Sequence, residues 1–87
     1  MLVSKAMKIH VYVTLKKTVL DPQGQAICRA LNGMGHAEIT DVRQGKFFEV
    51  ELADGVSAAE ALKRMEQLAE DVLANPVIEQ YRVEIAG

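Results

Sequence analysis

The sequence predicts a two-layer α/β sandwich of the α+β kind, in the order β-α-β-β-α-β, with a mostly antiparallel sheet and two helices on one face. Three observations predict it. Residues 8–15 alternate between apolar and polar side chains, the period of a strand with one buried face. Two segments carry apolar residues at helical spacing, each preceded by a start signal. Strand-like runs follow each of these helical segments, so the helices have a sheet to cover.

In the first strand Ile9, Val11, Val13 and Leu15 point one way, and His10, Tyr12 and Thr14 the other. Asp21 then offers a carboxylate to unpaired helix N–H groups. Pro22 follows at the first helical position, where its missing N–H costs nothing. Ile27, Ala30, Leu31 and Met34 form the core stripe of this helix, and Gly35 stops it. Gly24 in the first turn lowers helix propensity, so something other than helix stability favours it.

Residues 38–52 are strand-like. Ile39 and Val42 cannot share a face of one flat strand, so two short strands are expected, with a turn or kink at Gly45. Phe48, Val50 and Leu52 alternate with Phe47, Glu49 and Glu51, and Asp54-Gly55 closes the segment as a turn. Ser57 and Glu60 have the spacing of a capping box. Ala61, Leu62, Met65, Leu68, Ala69, Val72 and Leu73 make the apolar stripe of a helix of about four turns. Asn75-Pro76 ends it, because a residue before proline avoids helical geometry. Tyr81, Val83 and Ile85 alternate with Arg82 and Glu84 as the last strand. The face of the sheet away from the helices carries Tyr12, Thr14, Phe47 and Arg82, a mixed surface suited to a second subunit.

At 87 residues the chain is one domain. Hydrophobic residues are 49% of it and aromatics only 5%, so the core is aliphatic, with apolar material left over for a partner surface. The net charge of −2 gives no basic excess to attract phosphate backbones, which argues against general nucleic-acid binding. The lone Cys28 excludes an internal disulfide, no zinc spacing exists, and one free thiol suits a reducing, cytoplasmic setting. No apolar run approaches membrane length. Met7 reads as a natural start, with residues 1–6 a poorly ordered leader and 7–87 the single domain.

The chemistry-bearing residues do not assemble into a reactive set. His10 sits on the polar face of the first strand and His36 in a loop, neither with a nucleophile or carboxylate at telling spacing. Cys28 lies beside the core stripe and reads as a small packed hydrophobe. Glu49 and Glu51 share a strand face but lack the further oxygens a hard cation needs, so salt-bridge roles are expected. Arg43-Gln44-Gly45-Lys46 and Asp21-Pro22-Gln23-Gly24 match no phosphate-binding fingerprint, and Asp21 itself is expected to occupy the helix N-terminus. No catalytic, cofactor-binding or metal-ligating residue is assigned.

Four runs carry a family resemblance: Val13-Thr14-Leu15-Lys16, Val19-Leu20-Asp21-Pro22-Gln23-Gly24, Val42-Arg43-Gln44-Gly45-Lys46 and Asn75-Pro76-Val77-Ile78-Glu79-Gln80-Tyr81. In this order the chain closely resembles the PurS family, the small subunit of phosphoribosylformylglycinamidine (FGAM) synthase, over about residues 7–86. Thr18, where glycine is commoner, and Cys28, where an aliphatic residue is common, depart from the family pattern outside these runs.

The resemblance implies a non-catalytic bridging subunit in de novo purine biosynthesis. The complex it would serve is a glutamine-dependent C–N ligase. A large subunit uses ATP and magnesium to activate the amide of formylglycinamide ribonucleotide, and a glutaminase subunit releases ammonia. The expected partners are those two subunits and further copies of this chain, as dimer or tetramer, with no nucleic acid, no membrane and no cofactor in this chain. Arg43, Lys46, Asn75 and Tyr81 are the expected subunit-contact residues, because charge-rich turns and a tyrosine suit an interface. Two rival readings are an amino-acid-sensing dimeric regulatory domain and an RNA-binding sheet. The second would need more aromatics on the open face and the opposite charge.

Overall fold

A computed structural model describes residues 7–86, and the expected leader over residues 1–6 lies outside them. The elements are β1 (Met7–Leu15), α1 (Pro22–Gly33), β2 (Gly45–Leu52), α2 (Ala58–Leu68), a π-helical turn (Ala69–Leu73) and β3 (Glu79–Ala86). The sheet is antiparallel throughout in the order β2-β1-β3. The fold class is the expected one, with one strand fewer than the expected order.

β1 is the central strand, paired on both edges, and its inward residues Ile9, Val11 and Val13 are fully buried. Ala61, Met65, Ala69 and Ala74 complete the buried core from above. The spacing of those four residues shows what the π-turn does. Steps of four carry the buried face from Ala61 to Ala69. The Ala74 N–H then bonds the Ala69 carbonyl at 2.8 Å, a five-residue step that rotates the stripe. Val72, expected in the stripe, is turned outward and is 72% exposed, as is much of Leu68.

The strand expected over residues 38–44 does not form. Its polar groups are engaged by α1 and the loop before it. The Asn32 side chain donates to the Ile39 carbonyl at 3.0 Å, and the Gln44 N–H donates to an Asp21 carboxylate oxygen at 2.7 Å. Arg43 reaches across to the carbonyls of Lys16 (3.0 Å) and Val19 (2.9 Å). Gly45 is therefore not a kink between strands but the first residue of β2, opposite Thr14. A side chain there would collide with the Val13 carbonyl and the Thr14 methyl.

The largest correction concerns α1. Its cap is as the sequence implies: Asp21 accepts from the Gly24 N–H at 2.9 Å, with Pro22 in the first turn. Its apolar stripe, however, does not lie on the sheet. Met34 is 73% exposed and Ile27 41%, and Leu20 just ahead of the helix is 63% exposed. Among the described elements α2 covers the inner face, where it packs with β3. The radius of gyration is 17.1 Å, against about 12 Å for a compact chain of this length. The helix is held at its first turn and stands away from the body beyond it. Cys28 consequently is only half-buried, its Sγ near the Ile39 carbonyl at 3.7 Å and the Asn32 side-chain oxygen at 3.8 Å, not in the core.

Gly24 explains its own presence. It is buried where α1 meets the 40–44 segment, and a Cβ there would overlap the Val42 carbonyl oxygen and crowd the Asp21 carboxylate. Gly24→Ala is expected to cost roughly 1–3 kcal/mol despite alanine's better helix propensity. Gly33→Ala, with open space at its Cβ, should be neutral or stabilising. Urea denaturation of the two variants checks the contrast, and equal stabilities would refute it.

The Asp21 carboxyl is held below its ordinary value, first by the Gln44 N–H and then by that of Gly24; burial opposes them, and the Arg43 charge assists. A depressed folded-state pKa stabilises the fold above the unfolded carboxyl's pKa, and this stability is lost as pH falls through the folded value. The wild type should lose stability below about pH 4, and Asp21→Asn should show a shallower loss. Denaturation at pH 7 and pH 3 measures the difference, and parallel losses would contradict the assignment.

Candidate functional site

The described surface offers contact faces. Among the described residues no group of three or more His, Cys, Asp or Glu is placed to hold a metal ion. Each histidine has one carboxylate neighbour, distant in sequence for His10 and two residues away for His36. His10 Nε2 is 3.2 Å from Glu49 across the β1–β2 pair, and His36 is 4.0 Å from Glu38. Glu51 pairs with Lys8 at 3.8 Å, so Glu49 and Glu51 serve separate cross-strand pairs, as expected.

The open face of the sheet is ordered by ring contacts. Phe47 packs at 4.9 Å from His10 and 5.2 Å from Tyr12, and the Arg82 guanidinium lies 4.4 Å over the Tyr12 ring. Arg82 also pairs with Glu84 at 3.2 Å. This face largely neutralises its own charge.

The four expected contact residues divide into three places. Arg43 braces the loop before α1, as described. Lys46 and Asn75 are brought together by a residue the sequence reading did not single out, Glu79. One Glu79 carboxylate oxygen accepts from the Asn75 N–H at 2.7 Å, and the other lies 3.4 Å from Lys46 Nζ. Lys46 also donates to the Leu73 carbonyl at 3.3 Å. The Asn75 side chain accepts from the Val77 N–H at 3.1 Å. This small network joins the start of β2, the end of the π-turn and the start of β3. Its sequence signal is the i, i+4 spacing of Asn75 and Glu79 in a turn.

Tyr81 stands apart on β3, opposite Val13, and borders a groove of about 360 Å³ shared with Leu62, Lys63, Glu66 and Glu70 of α2 and its extension. Burial pushes the Tyr81 phenol above its ordinary value, and the Glu70, Glu66 and Asp71 carboxylates push it further. The groove is acidic and open to solvent.

Among the described residues two apolar surfaces have no cover. One is the stripe of α1. The other is the β2 half of the sheet's inner face, where Phe48, Val50 and Leu52 pack against the core on one side only and stay half-buried. No helix among the described residues is long and apolar enough to cross a membrane.

Comparison with known proteins gives a uniform answer. The family model described as PurS: Phosphoribosylformylglycinamidine (FGAM) synthase matches residues 8–87. The phosphoribosylformylglycinamidine synthase subunit PurS of Mycobacterium leprae is 49% identical over 73 residues, covering 84% of this chain and 87% of that one. The corresponding Bacillus subtilis subunit is 44% identical over 78 residues, 90% of each chain. Among solved structures, B. subtilis PurS superposes with a TM-score of 0.78 at 42% identity, covering 93% of this chain and 99% of the other. A chain in the structure of PurLQS from Thermotoga maritima superposes at 0.83 with 27% identity, covering 93% and 98%. In sequence, in length and in the arrangement of its elements, this chain belongs to the PurS family of phosphoribosylformylglycinamidine synthase.

Proposed function

We propose that this chain is a bridging subunit of FGAM synthase, without catalytic residues of its own, that joins an ATP- and magnesium-dependent large subunit to a glutaminase subunit in the cytoplasm. The observation that carries the reading is the amount of apolar and groove surface left open on a chain of a family whose T. maritima member occurs in a PurLQS structure. A bridge acts through proximity. Ammonia released beside its acceptor reaches a local concentration that free ammonia does not, and the bridge holds the two sites in register.

The bridge is built from more than one copy of this chain. Each copy shows an apolar helix, α1, without a sheet beneath it, and a strip of sheet, the inner side of β2, without a helix above it. The two surfaces complement one another, and α1 of one copy laid on β2 of a second satisfies both reciprocally, as a two-fold interface requires. Each side chain of the α1 stripe contributes roughly 1.5–3 kcal/mol when fully buried, so exchange of two such helices is a substantial driving force. Arg43, which braces the loop before α1, and the Lys46–Glu79–Asn75 network at the sheet end are the contact residues proposed beside this interface.

Replacing Ile27 and Met34 together by glutamate should leave the fold of one copy nearly unchanged, within about 0.5 kcal/mol, because both are already exposed. The same variant should sediment as a monomer where the wild type is larger. An unchanged assembly in analytical ultracentrifugation would refute the exchange of α1.

Reconstitution tests the bridge itself. Omitting this chain from a mixture with the large and glutaminase subunits should abolish most glutamine-dependent turnover and spare ammonia-dependent turnover. Equal loss of both, or loss of neither, would overturn the reading. Calorimetry of the isolated chain against glutamine and nucleotides separates it from a sensor, which binds alone.

A further inference from the structure

The proposed exchange of α1 covers the inner face of β2, and β3 forms the opposite edge of the sheet. It is an eight-residue strand in continuous register with β1, without a bulge or a proline, and its Arg82 is drawn onto the open face by Tyr12 and Glu84. Proteins usually blunt such an edge with one of these devices, because its unpaired N–H and C=O groups invite another strand. Beside this edge lies the groove that Tyr81 borders. Its α2 wall presents Glu66 and Glu70, one helical turn apart, like charges that repel in an isolated helix. Neither carboxylate has an ion-pair partner among the described residues, whereas Gln67 and Asp71 on the neighbouring row bond each other at 2.9 Å.

We propose that the β3 edge and the adjoining α2 groove receive an extended cationic segment of a partner protein, which adds a fourth strand and sets lysine or arginine side chains against Glu66, Glu70 and the Tyr81 ring. Main-chain bonds to β3 supply affinity, and the acidic wall selects alternate side chains of the added strand. Same-face residues of a strand are spaced about 6.6 Å apart, close to the roughly 6 Å between helix positions one turn apart. A cation over a tyrosine face adds further attraction.

The occupant is not a second copy of this chain. Two copies pairing β3 edges about a two-fold axis would bring their α2 walls side by side, Glu66 and Glu70 facing the same carboxylates, and like charges across an interface are strongly disfavoured. Lys63, at the N-terminal end of the groove, confines the cationic side chains to the stretch beyond it. The proposal rests on reading this chain as a binding scaffold, but its test needs neither the other subunits nor turnover.

The experiment titrates the isotopically labelled full chain with a blocked hexapeptide of alternating lysine and valine, and separately with one of alternating glutamate and valine. The expected result is amide shift changes along residues 79–86 and α2 with the cationic peptide only, and affinity that falls as salt rises. Glu66→Gln with Glu70→Gln should weaken binding about tenfold. Tyr81→Phe should retain binding. The substituted glutamates are exposed, and circular dichroism verifies the fold of each variant. Absence of binding at millimolar peptide, equal binding of the acidic peptide, unchanged affinity in the double variant, or shifts confined to β2 or α1 would each overturn the proposal.

Discussion

The buried Asp21 carboxylate organises this molecule. One oxygen accepts from the Gly24 N–H inside the first turn of α1, and the other from the Gln44 N–H just before β2. At 4% exposure the group has no alternative supply of hydrogen bonds from water, so it needs both donors. The result is a fixed joint where the chain leaves β1, begins α1 and enters β2. Gly24 permits the close approach, and Arg43 ties the preceding loop to the same joint through the Lys16 and Val19 carbonyls. The direction of α1 is therefore set locally, at its root, and does not depend on contact between its apolar face and its own sheet.

That separation of orientation from packing explains which features the sequence discloses. The caps at Asp21 and Ser57 and the alternation in β1, β2 and β3 depend on neighbours a few residues away, and all are legible. Apolar periodicity in α1 states that Ile27, Leu31 and Met34 want burial. It does not state whether the burying surface belongs to the same copy. Expectation placed it on the same sheet, because two helices over one face is the common arrangement. The extended stretch over residues 38–44 departs from the expected strand for a related reason. Its residues favour strand backbone, but the partner for its polar groups is a helix cap and an asparagine side chain, not a strand. The π-turn is a third case: nothing in the apolar pattern from Ala69 to Ala74 distinguishes four-residue from five-residue steps.

The surface residues divide along the same line. Glu51 reads correctly as a salt-bridge partner, of Lys8, whereas Glu49 meets the His10 ring instead of a lysine or arginine; alternation alone places both on the polar face of β2. Lys46 and Asn75 were legible as turn residues, but Glu79, which joins them, was not, because its role depends on β2 and β3 arriving at the same end of the sheet. Tyr81 is legible only as a tyrosine of the kind that suits an interface. Its acidic surroundings come from Glu70 of the π-turn and Glu66 of α2, which sequence distance hides.

These features together describe a part whose interior is nearly minimal and whose periphery is not. A central strand buried on its inner face, three small residues and a methionine from the helical layer form the core. So little core leaves the chain near the lower limit for independent folding, and burial against neighbours then adds stability that the isolated chain lacks. In the proposed exchange of α1, burial against a second copy couples assembly to folding. The same exchange covers the inner face of β2 and leaves the β3 edge to a different chain, and one surface for like and one for unlike is the simplest geometry by which a domain of this size can stand between larger proteins.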